Sequence, residues 1–166
     1  MIARLRGRPV ANTPDGLVLD VSGVGYLVAA TPSAVRAADG AAEVSLHTYL
    51  HVREDALQLY GFADAAERSL FVQLLGVSGI GPKVALAVVS SASPGELRVA
   101  IARRDSARFQ AIPGVGKKTA ERIVLELEGA LAEASPVAVA GTSGELVARD
   151  ALVELGFSLE IGRAHV

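Results

Sequence analysis

Cysteine and tryptophan are absent from this chain of 166 residues, methionine occurs once, and aromatic residues make up only 4%. Without cysteine there are no disulfides, thiolate metal sites or cysteine nucleophiles, which fits a reducing, cytoplasmic setting. With so few aromatic rings, the stacking platforms of a general single-strand binder are missing. No apolar run reaches the ~18 residues of a membrane span, and the opening stretch, with Arg4, Arg6 and Arg8, lacks the apolar core of a signal peptide. A soluble protein is expected.

Glycine, by contrast, is arranged in a pattern. Gly79-Ile80-Gly81-Pro82-Lys83-Val84-Ala85 returns as Gly114-Val115-Gly116-Lys117-Lys118-Thr119-Ala120, 35 residues later. In each copy an apolar residue stands between two glycines, a lysine follows, and an apolar helical pattern continues. This order describes helix, tight hairpin, helix. A turn so short needs positive φ, which glycine adopts at little cost. Glycine also strips Cβ atoms from the outside of the turn and exposes backbone N–H groups where a helix begins, at the positive end of its macrodipole. Two such corners in one small domain match the two sugar-phosphate strands of a duplex and read no base edges. The spacing of a nucleotide P-loop, glycine, four residues, then Gly-Lys-Ser/Thr, is not met.

The net charge of −2 resolves along the chain into unlike segments. Residues 76–130 carry eight Lys/Arg against five Asp/Glu, 54–75 one against four, and 131–166 two against five. A basic middle between acidic flanks can aim a duplex at one region and repel it from another within a Debye length of ~8–10 Å.

Taken in order, residues 1–62 read as about five short strands with no convincing helix: Ile2–Arg8, Leu17–Val21, Tyr26–Ala30 after a Gly23-Val24-Gly25 turn, Val44–Leu50 and Ala56–Phe62. Asn12–Gly16 and Asp39-Gly40 supply turns. Five strands of this length predict an antiparallel barrel of the oligonucleotide-binding (OB) type. At one hairpin tip stand Arg53, Glu54 and Asp55. Two adjacent carboxylates there make either a solvated turn or an electrostatic wedge acting on phosphates; neighbours at a strand tip point apart, which disfavours metal or acid-base chemistry.

From Asp64 the period becomes helical. Leu70, Phe71, Leu74 and Leu75 lead into the first hairpin, and Val84, Val88 and Val89 leave it. Ser93-Pro94 starts another helix, with Leu97 and Ile101 inward and a basic face of Arg98, Arg103 and Arg104. The second hairpin follows Ile112-Pro113; its exit helix turns Thr119, Ile123, Val124 and Leu127 inward and leaves Lys118 and Arg122 on the outer face. Residues 132–144 have the composition of a flexible linker, and Val147, Ala151, Leu152 and Leu155 form one amphipathic stripe, the beginning of a small helical domain over 145–159.

The opening Met1-Ile2-Ala3-Arg4-Leu5-Arg6-Gly7, Val52-Arg53-Glu54-Asp55-Ala56 with Leu59-Tyr60-Gly61-Phe62, Gly79-Ile80-Gly81-Pro82-Lys83, and Pro113-Gly114-Val115-Gly116-Lys117-Lys118-Thr119-Ala120-Glu121-Arg122 together resemble the RuvA family of bacterial Holliday-junction-binding proteins, to about Leu159. The resemblance implies an α+β multidomain chain: an OB barrel (1–63), a tandem helix-hairpin-helix domain (64–131), and a third helical domain on the linker, here incomplete. It implies a homotetramer, or an octamer of two tetramers, that holds four-way junction DNA open, with Glu54 and Asp55 as an acidic pin at the junction centre. The expected DNA-binding residues are Gly79, Ile80, Gly81, Lys83, Gly114, Val115, Gly116, Lys117, Lys118 and Arg122. A RuvB-type motor ATPase would be the partner of the third domain, its engagement in doubt while that domain is incomplete, and a RuvC-type resolvase would act on the same junction. No cofactor, metal, catalytic residue or membrane is implied.

Two other classes fit less well. A helix-hairpin-helix glycosylase needs an aspartate some twenty residues beyond its hairpin, and none occurs from Ser106 to Arg149. A single-strand binder lacks its rings. The last residues, 160–166, continue no pattern and match the translation of a common short-read sequencing adapter. They are expected to be non-native, an idea that coding DNA unlike the adapter after Leu159 rejects.

Overall fold

The computed structural model describes residues 1–134, with a closed five-stranded barrel followed by five helices. The strands are β1 (Arg4–Thr13), β2 (Gly16–Val21), β3 (Val24–Ala30), β4 (Val44–Val52) and β5 (Leu57–Phe62), ordered β1-β2-β3-β5-β4 around the barrel. The expected OB-type barrel is present. Closure depends on β1, which is longer than the sequence pattern indicated. Its first half pairs with β4 (Leu5 opposite Leu46) and its second with β2 (Asn12 opposite Leu17), with a register shift between Pro9 and Ala11 where it bends. The β3–β5 pair is parallel. Alternation puts Leu5, Leu17, Leu19, Val28, Val44, Leu46 and Leu59 inside.

Three readings of this half need correction. A helix, α1 (Pro32–Ala38), stands between β3 and β4 where only strands were expected. Its signals are local: the Thr31 side chain accepts from the Ala34 N–H, Pro32 occupies the first turn, and Ala34 and Ala38 are buried. With few large side chains, its apolar periodicity is faint. The turn between β2 and β3 lies at Ser22 and Gly23, both at positive φ (54° and 87°) as a type I′ hairpin requires, so Val24 and Gly25 belong to β3. The last strand starts at Leu57, with Ala56 still in the turn.

The helices are α2 (Ala65–Gly76), α3 (Pro82–Ser91), α4 (Pro94–Ala102), α5 (Ser106–Gln110) and α6 (Lys117–Ala134). Asp64 caps α2 by accepting from the Glu67 N–H at 2.8 Å. Ser93 and Glu96 form a reciprocal capping box on α4, and the Ser93 hydroxyl and N–H hold the Glu96 carboxyl below its ordinary value. The short α5 had no place in the sequence reading; five residues are too few to show a period, and its mark is the Asp105 cap. Arg104 likewise departs from expectation. It lies beyond α4 at φ 54° and bonds Glu128 of α6 at 3.0 Å, so it belongs to a helix clamp instead of a basic face. Helix α6 continues to Ala134, into the stretch read as a linker. The remainder of that stretch, the partial domain at 145–159 and the tail at 160–166 lie outside the described residues. Among the described residues no single helix is long and apolar enough to cross a membrane.

Barrel and helices share a core. Phe71 of α2 is fully buried among Tyr49, Tyr60 and Phe62, with ring centroids 5.4, 5.1 and 4.9 Å away. Burial pushes the Tyr60 phenol above its ordinary value, opposed by nearby Arg53, so at neutral pH it keeps its proton and donates to Gln58 at 2.9 Å. The buried Glu67 carboxylate accepts from the Thr31 and Ser33 hydroxyls of the α1 cap and from the Ala63 N–H at the barrel exit. Arg68 donates to the Thr48 carbonyl of β4 at 2.7 Å. Because the aromatic cluster spans both halves, Phe71→Ala is expected to cost about 3–5 kcal/mol. Denaturation followed by tyrosine fluorescence for the barrel and helical circular dichroism for the rest should shift as one transition; separate midpoints would show that the halves unfold independently.

Candidate nucleic-acid interface

The two glycine corners are built alike, bond for bond. In the first, Val77 N–H donates to Leu74 O (3.1 Å), Ile80 N–H to Val77 O (3.1 Å) and Ala85 N–H to Gly81 O (2.9 Å). In the second, Ile112 N–H donates to Phe109 O (3.0 Å), Val115 N–H to Ile112 O (3.0 Å) and Ala120 N–H to Gly116 O (2.9 Å). Every position is displaced by the same 35 residues. Gly79 and Gly114 have φ of 87° and 85°, a region that a side chain disfavours.

Within each corner the residues divide their tasks. Ile80 and Val115 are buried, at 7% and 5% exposure, and their N–H groups are already bonded. They anchor the tip from inside and present neither side chain nor amide outward, which refines their place among the expected contact residues. Gly79, Gly81, Gly114 and Gly116 are exposed. A Cβ at Gly81 or Gly116 would meet nothing within 4 Å, so the surface above these amides is open. The first i→i−4 bonds are donated by Ala85 and Ala120. Ahead of them, the amides of Lys83 and Val84 in α3, and of Lys117, Lys118 and Thr119 in α6, have no intrahelical acceptor.

The cations sort into two groups. Lys83, Lys117 and Lys118 are exposed and enter no ion pair among the described residues. Arg104, Arg108 and Arg122 pair with Glu128, Glu96 and Glu126. Arg122 is exposed on the outer face of α6 as expected, but its Nη1 also donates to the Ser78 carbonyl in the first hairpin at 2.9 Å. Sequence spacing could show Glu126 one turn along from Arg122; it could not show Ser78, which lies 44 residues away in the chain.

Glu54 and Asp55 are exposed at the β4–β5 tip, closed by the bond from Arg53 N–H to Ala56 O at 2.9 Å. Arg53 turns aside to His51, its Nε 3.0 Å from the ring Nε2, and neither carboxylate has a cationic partner among the described residues. Among those residues no group of three or more His, Asp or Glu is placed to hold a metal ion. The tip thus carries two exposed carboxylates against the one guanidinium of Arg53, a net negative charge.

Comparison with known proteins follows the same division. A family model described as the RuvA N-terminal domain matches residues 1–61, and one described as a SAM-like helix-hairpin-helix tandem matches residues 71–128. A Chloroflexus aggregans protein named Holliday junction branch migration complex subunit RuvA is 49% identical over 162 residues, covering 95% of this chain and 83% of its own length. Proteins of the same name from Rubrobacter xylanophilus and Mycolicibacterium smegmatis are 48% and 43% identical, over 96% and 95% of this chain and 85% and 83% of their own. With a barrel, a doubled hairpin and relatives of this identity spanning nearly its whole length, the chain belongs to the RuvA family.

Proposed function

We propose that this chain is a non-enzymatic, structure-selective subunit that binds four-way junction DNA by its sugar-phosphate backbone and serves in branch migration. The observation that carries the reading is the repeated corner: open glycine amides at two helix starts, beside Lys83 in one and Lys117 and Lys118 in the other, which enter no ion pair among the described residues. Backbone amides and lysines bind phosphate without reading bases, and selectivity must then come from shape. In this reading Gly79, Gly81, Lys83, Gly114, Gly116, Lys117, Lys118 and Arg122 line the contact, while Ile80 and Val115 hold it in shape. Glu54 and Asp55 act by repulsion, keeping phosphates off the junction centre so that strands part and re-pair. The names of the relatives, which speak of a branch migration complex subunit, support the reading.

The same proposal takes 1–63 as the barrel, 64–134 as the DNA-binding tandem with α6 carried to its end, the rest of the stretch to 144 as a linker and 145–159 as part of a motor-binding domain. The working form is a cytoplasmic homotetramer, or two tetramers on one junction, and a RuvB-type ATPase supplies the energy for movement. A RuvC-type resolvase acts on the junction so held. Gel-shift competition between a four-way junction and linear duplex of equal length, at two salt concentrations, tests the core claim; equal affinity for both leaves only a general duplex binder.

Two substitutions separate the parts. Lys118→Ala is expected to weaken junction binding and to flatten the salt slope by ~0.9, the contribution of one phosphate contact; an unchanged slope rejects that role. Glu54→Gln with Asp55→Asn is expected to preserve or tighten DNA binding while reducing the preference for the four-way form. Loss of binding in the double variant rejects repulsion as the pin's mode of action.

A further inference from the structure

The two hairpins are equivalent in backbone, yet their tips are secured differently. Position 113 of the second is proline, which has no N–H to satisfy and a fixed φ. Its counterpart in the first, 35 residues earlier, is Ser78, which has a free-turning backbone and a donor. Both backbone polar groups of Ser78 are met from α6. Its N–H donates to Glu126 Oε2 at 3.3 Å, and its carbonyl accepts from Arg122 Nη1 at 2.9 Å. Arg122 Nε and Glu126 Oε1 lie 3.8 Å apart, one helical turn from each other. The equivalents of these two residues on α3 are Ala87 and Ser91, which offer no such pair. The second motif therefore holds the first tip through polar side chains, whereas the second tip, at Gly114, has only the apolar Val84 of α3 beside it.

We infer that Glu126 is a positioning residue which, together with the Arg122 already placed at the contact, forms a clasp from the second helix-hairpin-helix motif that fixes the tip of the first, so that both corners meet a phosphate backbone as one rigid unit. The inference rests on the nucleic-acid reading above. Glu126 is the revealing member because its charge has the wrong sign for its location. A carboxylate beside a phosphate-binding corner opposes the ligand by simple Coulomb repulsion. Removing it should strengthen binding if charge alone matters, and should weaken binding if the clasp matters. An unclasped tip must be ordered at the moment of binding, which lowers affinity.

Glu126→Ala, Glu126→Gln and Lys118→Ala, each in the full chain, are to be compared for junction binding across a salt series and for amide hydrogen exchange at Ser78, Gly79 and Gly114. Glu126→Ala is expected to bind about three- to tenfold more weakly, the range for loss of one hydrogen bond, with no reduction in salt slope. Glu126→Gln keeps an oxygen for the Ser78 N–H and should recover affinity to within about twofold of the parent. Exchange at Ser78 and Gly79 should quicken in the alanine variant while Gly114 is unaffected. Equal or tighter binding by Glu126→Ala overturns the clasp, as does unchanged exchange at Ser78. If Lys118→Ala leaves affinity and slope untouched, it is the nucleic-acid reading that fails; faster exchange at Ser78 then still upholds the clasp as a tip restraint, and unchanged exchange removes it.

Discussion

The constraint from which the site follows is the burial of one apolar side chain between two glycines, Ile80 in the first corner and Val115 in the second. Each is drawn into the helical core, and its N–H is bonded back to the carbonyl three residues earlier. With the middle of the turn held inward, the flanking glycines are pushed outward and the chain must reverse within two residues, which is why Gly79 and Gly114 take positive φ. A larger surface residue at either flank would cover the amides that the inward anchor has exposed. In the proposed reading, hydrophobic burial and phosphate access are thus two sides of one turn.

That turn is only as rigid as the helices entering and leaving it, and these are tied to the barrel. Phe71 fills the space between Tyr49, Tyr60 and Phe62, one turn before Leu74 accepts the first bond of the hairpin. Glu67, a turn earlier still, collects donors from α1 and from the end of β5. A buried carboxylate is costly unless its lone pairs are satisfied, and here three donors meet it. The helix carrying the first corner is accordingly anchored to the same barrel that carries Glu54 and Asp55. The unpaired lysines at the corners and the unpaired carboxylates at the tip belong to one compact body, as the proposed shape-selective binding requires.

What could be seen in the sequence followed from how local each signal is. The barrel strands, the Ser93 cap, the change to a helical period at Asp64 and both glycine corners are written within a few residues, and all are present in the fold. Helix α1 carried a cap of the same kind, Thr31-Pro32-Ser33, but an alanine-rich face gives no strong period and the strand pattern around it prevailed. Helix α5 is shorter than two turns and leaves almost no periodic trace. The roles of Arg104, Arg122 and Glu126 were illegible for a different reason. Their partners, Glu128 and Ser78, stand 24, 44 and 48 residues away, and only the tertiary fold brings them together.

Those distant pairings also resolve how a chain of net charge −2 presents a surface suited to an anion. Three of the six arginines of the helical half are spent on carboxylates, Arg104 on Glu128, Arg108 on Glu96 and Arg122 on Glu126, while Arg68 is turned to the Thr48 carbonyl and Arg98 and Arg103 enter no ion pair among the described residues. Exposed pairs of this sort add little stability, about 0–1 kcal/mol each, so their main effect is on the field, where they cancel. Lys83, Lys117 and Lys118 are left uncancelled beside the open amides. Since exposed charges are screened beyond about 8–10 Å, a ligand at a corner responds to those lysines and to the helix start, and scarcely to the acidic residues elsewhere. The sign of the whole chain is then a poor guide to its partner; the sign that counts is the local one at each corner, where Arg122 is paired and the lysines are not.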